Sequence, residues 1–210
     1  MIARPLRMFH LRTAFRSGCA ALLFCMLLPS VLSAQHSMNT HIIIDFSNTA
    51  SWERWMPVND VVMGGVSSSE IAATDSGTAV FRGTVSLDNN GGFASVRSGP
   101  AEFDMEGYEG IRLRVRGDGS DYRLRLRTTD SFDGVAYQQT FGTTAGEWIT
   151  VDIPFADFTA SFRGRRVPDA PPLNPSAIRQ IGFLIADRQT GPFALEIASI
   201  SVYSPDGTTE

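Results

Sequence analysis

Carboxylates are the only reactive groups spread through this chain, so chemistry must start from them. Asp60, Asp152 and Asp187 are the aspartates that could supply an acid and a base, as in glycoside hydrolysis. Their spacing selects no pair, and solvated loop carboxylates explain them as well. Other catalytic sets lack members. The chain has no lysine, its two cysteines (Cys19, Cys25) lie near the N terminus, and His36 and His41 precede the first expected strand. Cysteine nucleophiles, Ser-His-Asp triads, Schiff-base lysines and His- or Cys-ligated zinc are therefore excluded. No dense Asp/Asn loop suggests calcium either. Catalytic residues, metal and cofactor are all expected to be none.

Binding chemistry is better represented. Asn59-Asp60 is followed by Val61-Val62-Met63, Gly64-Gly65, Val66 and Ser67-Ser68-Ser69. Asn and Asp side chains could hydrogen-bond a sugar or a partner. They could equally cap a turn and satisfy backbone groups. The turn reading is favoured, because the double glycine is itself a backbone device. Arg112, Arg114 and Arg116 alternate with aliphatics, as do Arg123, Arg125 and Arg127. These six form either a basic face for an acidic partner or a ladder with the chain's own acids. Trp52, Trp55 and Trp148 could stack on sugar rings, although core packing is the commoner use of tryptophan.

The N-terminal segment has a different composition. Arg4, Arg7, Arg12 and Arg16 precede an apolar run from Cys19 to Leu28, then Pro29 and Ser33-Ala34, with no acid before Asp45. That is the order of a secretory signal peptide cut after Ala34, so residues 1–34 are expected to be removed and the protein exported, periplasmic or extracellular. A mitochondrial transit peptide is the alternative, since it too is Arg-rich and acid-poor. The apolar run is too short for a membrane span of about 20 residues. The remainder is one domain's worth of chain. With four of the 18 basic residues in the leader against 22 acids overall, that remainder is acidic, so no nucleic-acid partner is expected.

Short apolar runs separated by turn residues fill the rest. Ile42–Phe46, Ala79–Leu87, Phe93–Arg97, Ile111–Arg116, Arg123–Arg127, Val135–Phe141, Trp148–Ile153, Ile181–Ala186 and Phe193–Val202 read as about nine strands. Asn90-Gly91 tolerates positive φ at both positions of a tight turn, which predicts a hairpin joining 79–87 to 93–97. Gly117–Asp121 predicts a second hairpin between the arginine-bearing strands. Four prolines make 162–175 a surface loop, and a helical turn is expected near Ser176. The phase slip at Ala198-Ser199 predicts a bulge. The expected fold is all-β, an antiparallel jelly-roll sandwich. Its boundaries are a 35–41 linker, a 42–203 domain and a 204–210 tail.

Several blocks together carry a resemblance: Trp55 through Ser67, Asn89-Asn90-Gly91-Gly92-Phe93-Ala94-Ser95-Val96-Arg97, Gly110 through Gly119, Phe162-Arg163-Gly164-Arg165, and Ile181 through Asp187 with Gly191-Pro192-Phe193. In this order the chain resembles the complex I intermediate-associated protein 30 family. The resemblance implies a galactose-binding-like sandwich that is not an enzyme. It implies an assembly-factor role with a protein partner, such as respiratory-chain subunits. An exported carbohydrate-binding module with a glycan partner is the alternative. Candidate contacts are Trp55, Asn59, Asp60, Ser67, Asn89, Asn90, Arg112, Arg114, Arg116, Arg123 and Arg125. No membrane span is expected in the mature chain.

Overall fold

Alternation of apolar and polar residues gives each strand one face to bury, and two sheets bury those faces against each other. The computed structural model describes residues 39–48 and 54–204. The leader, Trp52 and residues 205–210 lie outside the described residues. Along the chain come β1 (Asn39–Asp45), β2 (Met56–Pro57), β3 (Ser68–Ala73), β4 (Ala79–Val85) and β5 (Ala94–Arg97). There follow β6 (Gly110–Arg116), β7 (Asp121–Arg127), β8 (Ala136–Gly142), β9 (Trp148–Pro154), β10 (Thr159–Phe162), β11 (Arg165–Arg166), β12 (Gln180–Ile185) and β13 (Gly191–Ser204). No α-helix occurs among the described residues; four short 3-10 turns do, one of them at Pro175–Ala177 as expected near Ser176.

One sheet has the order β3-β4-β13-β6-β9, and β1 pairs with the C-terminal part of β13. The other runs β11-β10-β8-β7-β12-β5-β2. Every ladder between named strands is antiparallel. The register of β13 against β6 slips between Ile197 and Ser199, at the position where the sequence pattern loses phase. This bulge lets a single strand serve β4 with one half and β1 with the other. The unbroken apolar run of β12 is buried along its whole length. Within the 162–175 surface loop fall the end of β10 at Phe162, the two-residue β11 and the start of the 3-10 turn at Pro175, and His41 lies within β1 rather than before it.

Both expected hairpins are overturned. β4 belongs to the six-stranded sheet and β5 to the seven-stranded one, and the same is true of β6 and β7. Each connection is an arch between sheets. For β6 and β7 the reason is electrostatic. A hairpin would set Arg112, Arg114 and Arg116 beside Arg123, Arg125 and Arg127 on one face, and facing like charges destabilise a sheet. In separate sheets the two rows point out from opposite sides of the sandwich, while Ile111, Leu113, Val115, Tyr122, Leu124 and Leu126 are fully buried between. For β4 and β5, Asn89 and Asn90 carry the positive φ values (55° and 60°), and Gly91 is extended. The turn is therefore one residue earlier than a hairpin at Asn90-Gly91 requires.

Aromatic rings tie the layers together. Phe81 and Phe193 of one sheet meet with centroids 4.8 Å apart, and Phe81 lies 6.5 Å from Tyr122 of the other. Tyr122 continues to Phe141 and Phe141 to Phe183, which stacks on Trp55 at 6.0 Å. Truncating a fully buried aromatic removes its burial and leaves a cavity. Phe183→Ala is expected to lose about 3–5 kcal/mol in a urea unfolding curve. A loss under about 1 kcal/mol would place Phe183 outside the core.

Candidate binding site

The Val58–Ser69 segment is built around one buried carboxylate. Asp60 begins a 3-10 turn (Asp60–Met63) closed by Gly64 in the left-handed region, and the residue is fully buried. Its Oδ1 accepts the Ser67 amide at 3.0 Å. Its Oδ2 accepts the Ser67 hydroxyl at 2.5 Å and the amides of Gly92 at 2.7 Å and Phe93 at 3.2 Å. The carboxylate thus joins the double-glycine loop to the β4–β5 arch. Two glycines make room for it: a Cβ on Gly65 would sit 2.4 Å from the Asp60 carboxyl carbon, and one on Gly91 2.6 Å from Oδ2. Asn59 works beside it, its Oδ1 accepting from the Ser69 hydroxyl (2.7 Å) and the Ser95 amide (3.1 Å).

Burial raises the Asp60 pKa, but the donors on Ser67, Gly92 and Phe93 outweigh it and hold the group below its ordinary value. A second carboxylate treats the other arch similarly. Asp118 accepts from the Ser120 amide, the Tyr122 hydroxyl and the Ala194 amide, and is likewise held low once burial is offset by those donors.

The sequence-derived candidates therefore separate. Asn59, Asp60 and Ser67 come together, with their side-chain oxygens committed to the protein itself. Trp55 is 7% exposed and packs on Phe46 and Phe183. Asn89 and Asn90 are exposed on the arch beside this clamp. Arg112, Arg114 and Arg116 lie on the outer face of the six-stranded sheet. Arg112 grips Asp152 with two bonds (2.6 and 2.8 Å), Arg116 pairs with Glu196, and both Arg114 and Arg116 lie over the Trp148 ring. That row is the ladder with the chain's own acids. On the opposite face Arg123 pairs with Asp187. Asp60, Asp152 and Asp187 are thus each engaged by other groups of the chain, Asp60 by Ser67, Gly92 and Phe93, Asp152 by Arg112 and Asp187 by Arg123.

Arg125 differs from the other five arginines of β6 and β7. Among the described residues its side chain makes no hydrogen bond or ion pair, and its buried Nε has no partner. It stands in register with Gly182, which stands in register with Arg97. Arg127, one step along β7, completes the group around a small depression of about 30 Å³. Val58, Ser95, Val96 and Gln180 also line it. Arg97 donates to the Phe132 carbonyl (2.8 Å) and lies 4.7 Å from the exposed Phe132 ring; Arg127 donates to the Gly134 carbonyl (2.9 Å). Burial, then Arg127, Arg97 and Arg123, push Arg125 down to about 10. Arg97, Gln180 and Phe132 were not among the sequence-derived contacts, and Arg127 entered only as one of the six alternating arginines. The outward phase of Arg97 and Arg127 was readable from alternation, but their meeting across Gly182 depends on strand order.

Exposed apolar residues gather on the clamped loop. Val61 and Met63 are 61% exposed and Val66 53%, with Met56 (45%) at the start of the segment. Among the described residues no three His, Cys, Asp or Glu side chains are close enough to hold a metal, and no helix is long and apolar enough to cross a membrane.

Two antiparallel sheets in this order make a galactose-binding-like jelly-roll sandwich. Solved structures agree on the fold. The family 11 carbohydrate-binding module of a cellulosomal cellulase of Clostridium thermocellum superposes with a TM-score of 0.60 at 18% identity, covering 79% of this chain and 95% of that one. The same module in complex with a mixed-linked tetrasaccharide gives 0.59 at 19% identity and the same coverage. The family model described as "Complex I intermediate-associated protein 30" matches residues 44–197, and the chain belongs to that family. The mitochondrial complex I intermediate-associated protein 30 of Drosophila melanogaster is 29% identical across 81% of this chain, and that of Mus musculus 28% across 80%. The aligned region spans 66% and 58% of those relatives, so each relative is longer than the part shared.

Because the folded Asp60 pKa lies below the unfolded value of about 3.9, the clamp adds stability above that pH. That contribution is lost as pH falls through the folded value. Asp60→Asn places an amide against amide donors and is expected to lose about 2–3 kcal/mol at pH 7. Its stability should also decline less than the wild type's between neutral and acid pH. Parallel acid titrations of the two proteins would dismiss the clamp.

Proposed function

We propose that this protein is a non-enzymatic binding protein that supports assembly of a respiratory-chain complex by holding a protein partner. The observation that carries the reading is the family match over residues 44–197, nearly the whole described domain. The surface offered for the contact is the Met56–Val66 segment. Its Val61, Met63 and Val66 side chains face solvent, while Asp60 and Asn59 fix the backbone beneath them. Exposed apolar residues on a rigid support suit protein association, because little order is lost when the partner docks.

The glycan-binding alternative draws on fold alone, and fold does not carry ligand. Of the three tryptophans it drew on, Trp55 is in the core, Trp148 lies under Arg114 and Arg116, and Trp52 is outside the described residues, while Asn59 spends its carbonyl oxygen internally. Location of the partner turns on residues 1–34, outside the described residues. The curated relatives are mitochondrial by name, which supports the transit-peptide alternative; the uninterrupted apolar run supports export. Fractionation with N-terminal sequencing separates these, a start at Gln35 in an exported fraction being the signature of a cleaved secretory leader.

Affinity purification of the tagged full chain from its native cells is expected to recover complex I subunits. Met63→Asp and Val61→Asp should reduce that recovery at least tenfold with an unchanged thermal midpoint. Undiminished recovery from both would remove this loop from the interface, and a purification free of respiratory-chain subunits would remove the assembly role.

A further inference from the structure

We propose that Arg97, Arg125 and Arg127 form a seat for a carboxylate group supplied by a ligand or partner. The two outer faces of the sandwich carry the argument. Each bears arginines delivered by the same alternating pattern, yet on the seven-stranded sheet only Arg123 of its β7 row meets an acid, Asp187. On the six-stranded sheet Arg112 and Arg116 hold Asp152 and Glu196, and Arg114 lies on Trp148. On the seven-stranded sheet Arg97, Arg125 and Arg127 converge with no ion pair to any of them among the described residues. Asp133, the acid whose field reaches Arg97 and Arg127, gives its carboxylate to Arg163 at 2.7 Å.

Like charges gathered with their solvent reduced are unfavourable unless something compensates them. No structural benefit of that size is visible for Arg125, whose buried Nε has no partner. Arg97 and Arg127, by contrast, are steered by carbonyls of the 132–134 loop, which spend one Nη1 each and leave other guanidinium N–H groups unspent. Gln180 anchors the start of that loop through the Thr129 and Ser131 carbonyls. Gly182 keeps the space between Arg97 and Arg125 free of a side chain, and a Cβ there would meet the Val96 carbonyl oxygen at 2.6 Å.

The donors left in the depression are guanidinium edges, since the Ser95 hydroxyl is already given to the Val58 carbonyl. Planar forks on one floor, with Val58 at the edge of the depression, match a planar carboxylate. A tetrahedral phosphate asks for donors all round. The carboxylate could come from an acidic side chain of a protein partner or from a free organic acid. The site adjoins the Met56–Val66 segment through Val58, but its guanidinium donors come from β5 and β7, so it stands or falls independently of the assembly reading.

The test is thermal unfolding and calorimetric titration of the full chain at low ionic strength, where surface charge is least screened. Probes are a capped tri-glutamate peptide, its tri-glutamine counterpart, citrate and inorganic phosphate. The tri-glutamate peptide or citrate is expected to raise the thermal midpoint by several degrees, with tri-glutamine inert. Peptide binding assigns the carboxylate to a protein partner, and a response to citrate alone assigns it to a free acid. Arg125→Met should leave the ligand-free midpoint unchanged or higher and weaken carboxylate binding at least tenfold. Arg127→Gln provides the same reading should Arg125→Met fail to fold, and Arg82→Gln on the other sheet should bind as the wild type does. The proposal is overturned by any of three results: neither carboxylate stabilises the protein, phosphate stabilises it more than both, or the Arg125→Met protein binds carboxylate undiminished.

Discussion

A single buried carboxylate sets the geometry on which the rest depends. Asp60 cannot be left in the interior as an anion unless its oxygens are saturated, and the donors that saturate it come from two distant segments. The Val58–Ser69 loop must therefore lie against the Gly91–Phe93 arch. That contact takes the chain from β4 in one sheet to β5 in the other, and it explains why glycines occupy positions 65 and 91, where any side chain would strike the carboxyl group. Asp118 does the equivalent for the β6–β7 arch by capturing an amide of β13. Two carboxylates thus hold these two of the chain's crossings between sheets, and the aromatic chain from Phe193 to Trp55 packs between the layers.

Anchored arches also shape the surface. The loop that contains Asp60 points Val61, Met63 and Val66 at solvent. A loop held from beneath by charge-assisted hydrogen bonds can present apolar residues without collapsing onto the sheet. The fold is shared with carbohydrate-binding modules, while the chain belongs to the complex I intermediate-associated protein 30 family. Among the described residues, Trp55 packs the core and Trp148 receives two guanidinium groups.

The arginine rows show how one sequence pattern can have two fates. Arg112, Arg114 and Arg116 face strands that carry Asp152, Glu196 and Trp148 at reachable register positions, so the face neutralises itself. Arg125 faces Gln138 on one side and Gly182 on the other, neither of which can balance a charge. Beyond Gly182 lies another arginine rather than an acid. The difference lies in the neighbours, not in the row.

Period-two patterning alone determined that the chain is all-β, that β12 is buried on both faces and that β13 bulges near Ala198, because each is a property of a strand's own residues. The family blocks were legible for the same reason: they are local runs. Strand partnership was not legible. Asn90-Gly91 and Gly117–Asp121 look like hairpin turns because turn chemistry describes how a chain reverses, not which sheet receives it. Tertiary structure decided that through the amides Asp60 and Asp118 capture from afar, and through the repulsion two rows of arginines would have suffered side by side. The same non-local choice of partners made a ladder of one row and left Arg97, Arg125 and Arg127 together, since charge balance depends on what the fold places within reach.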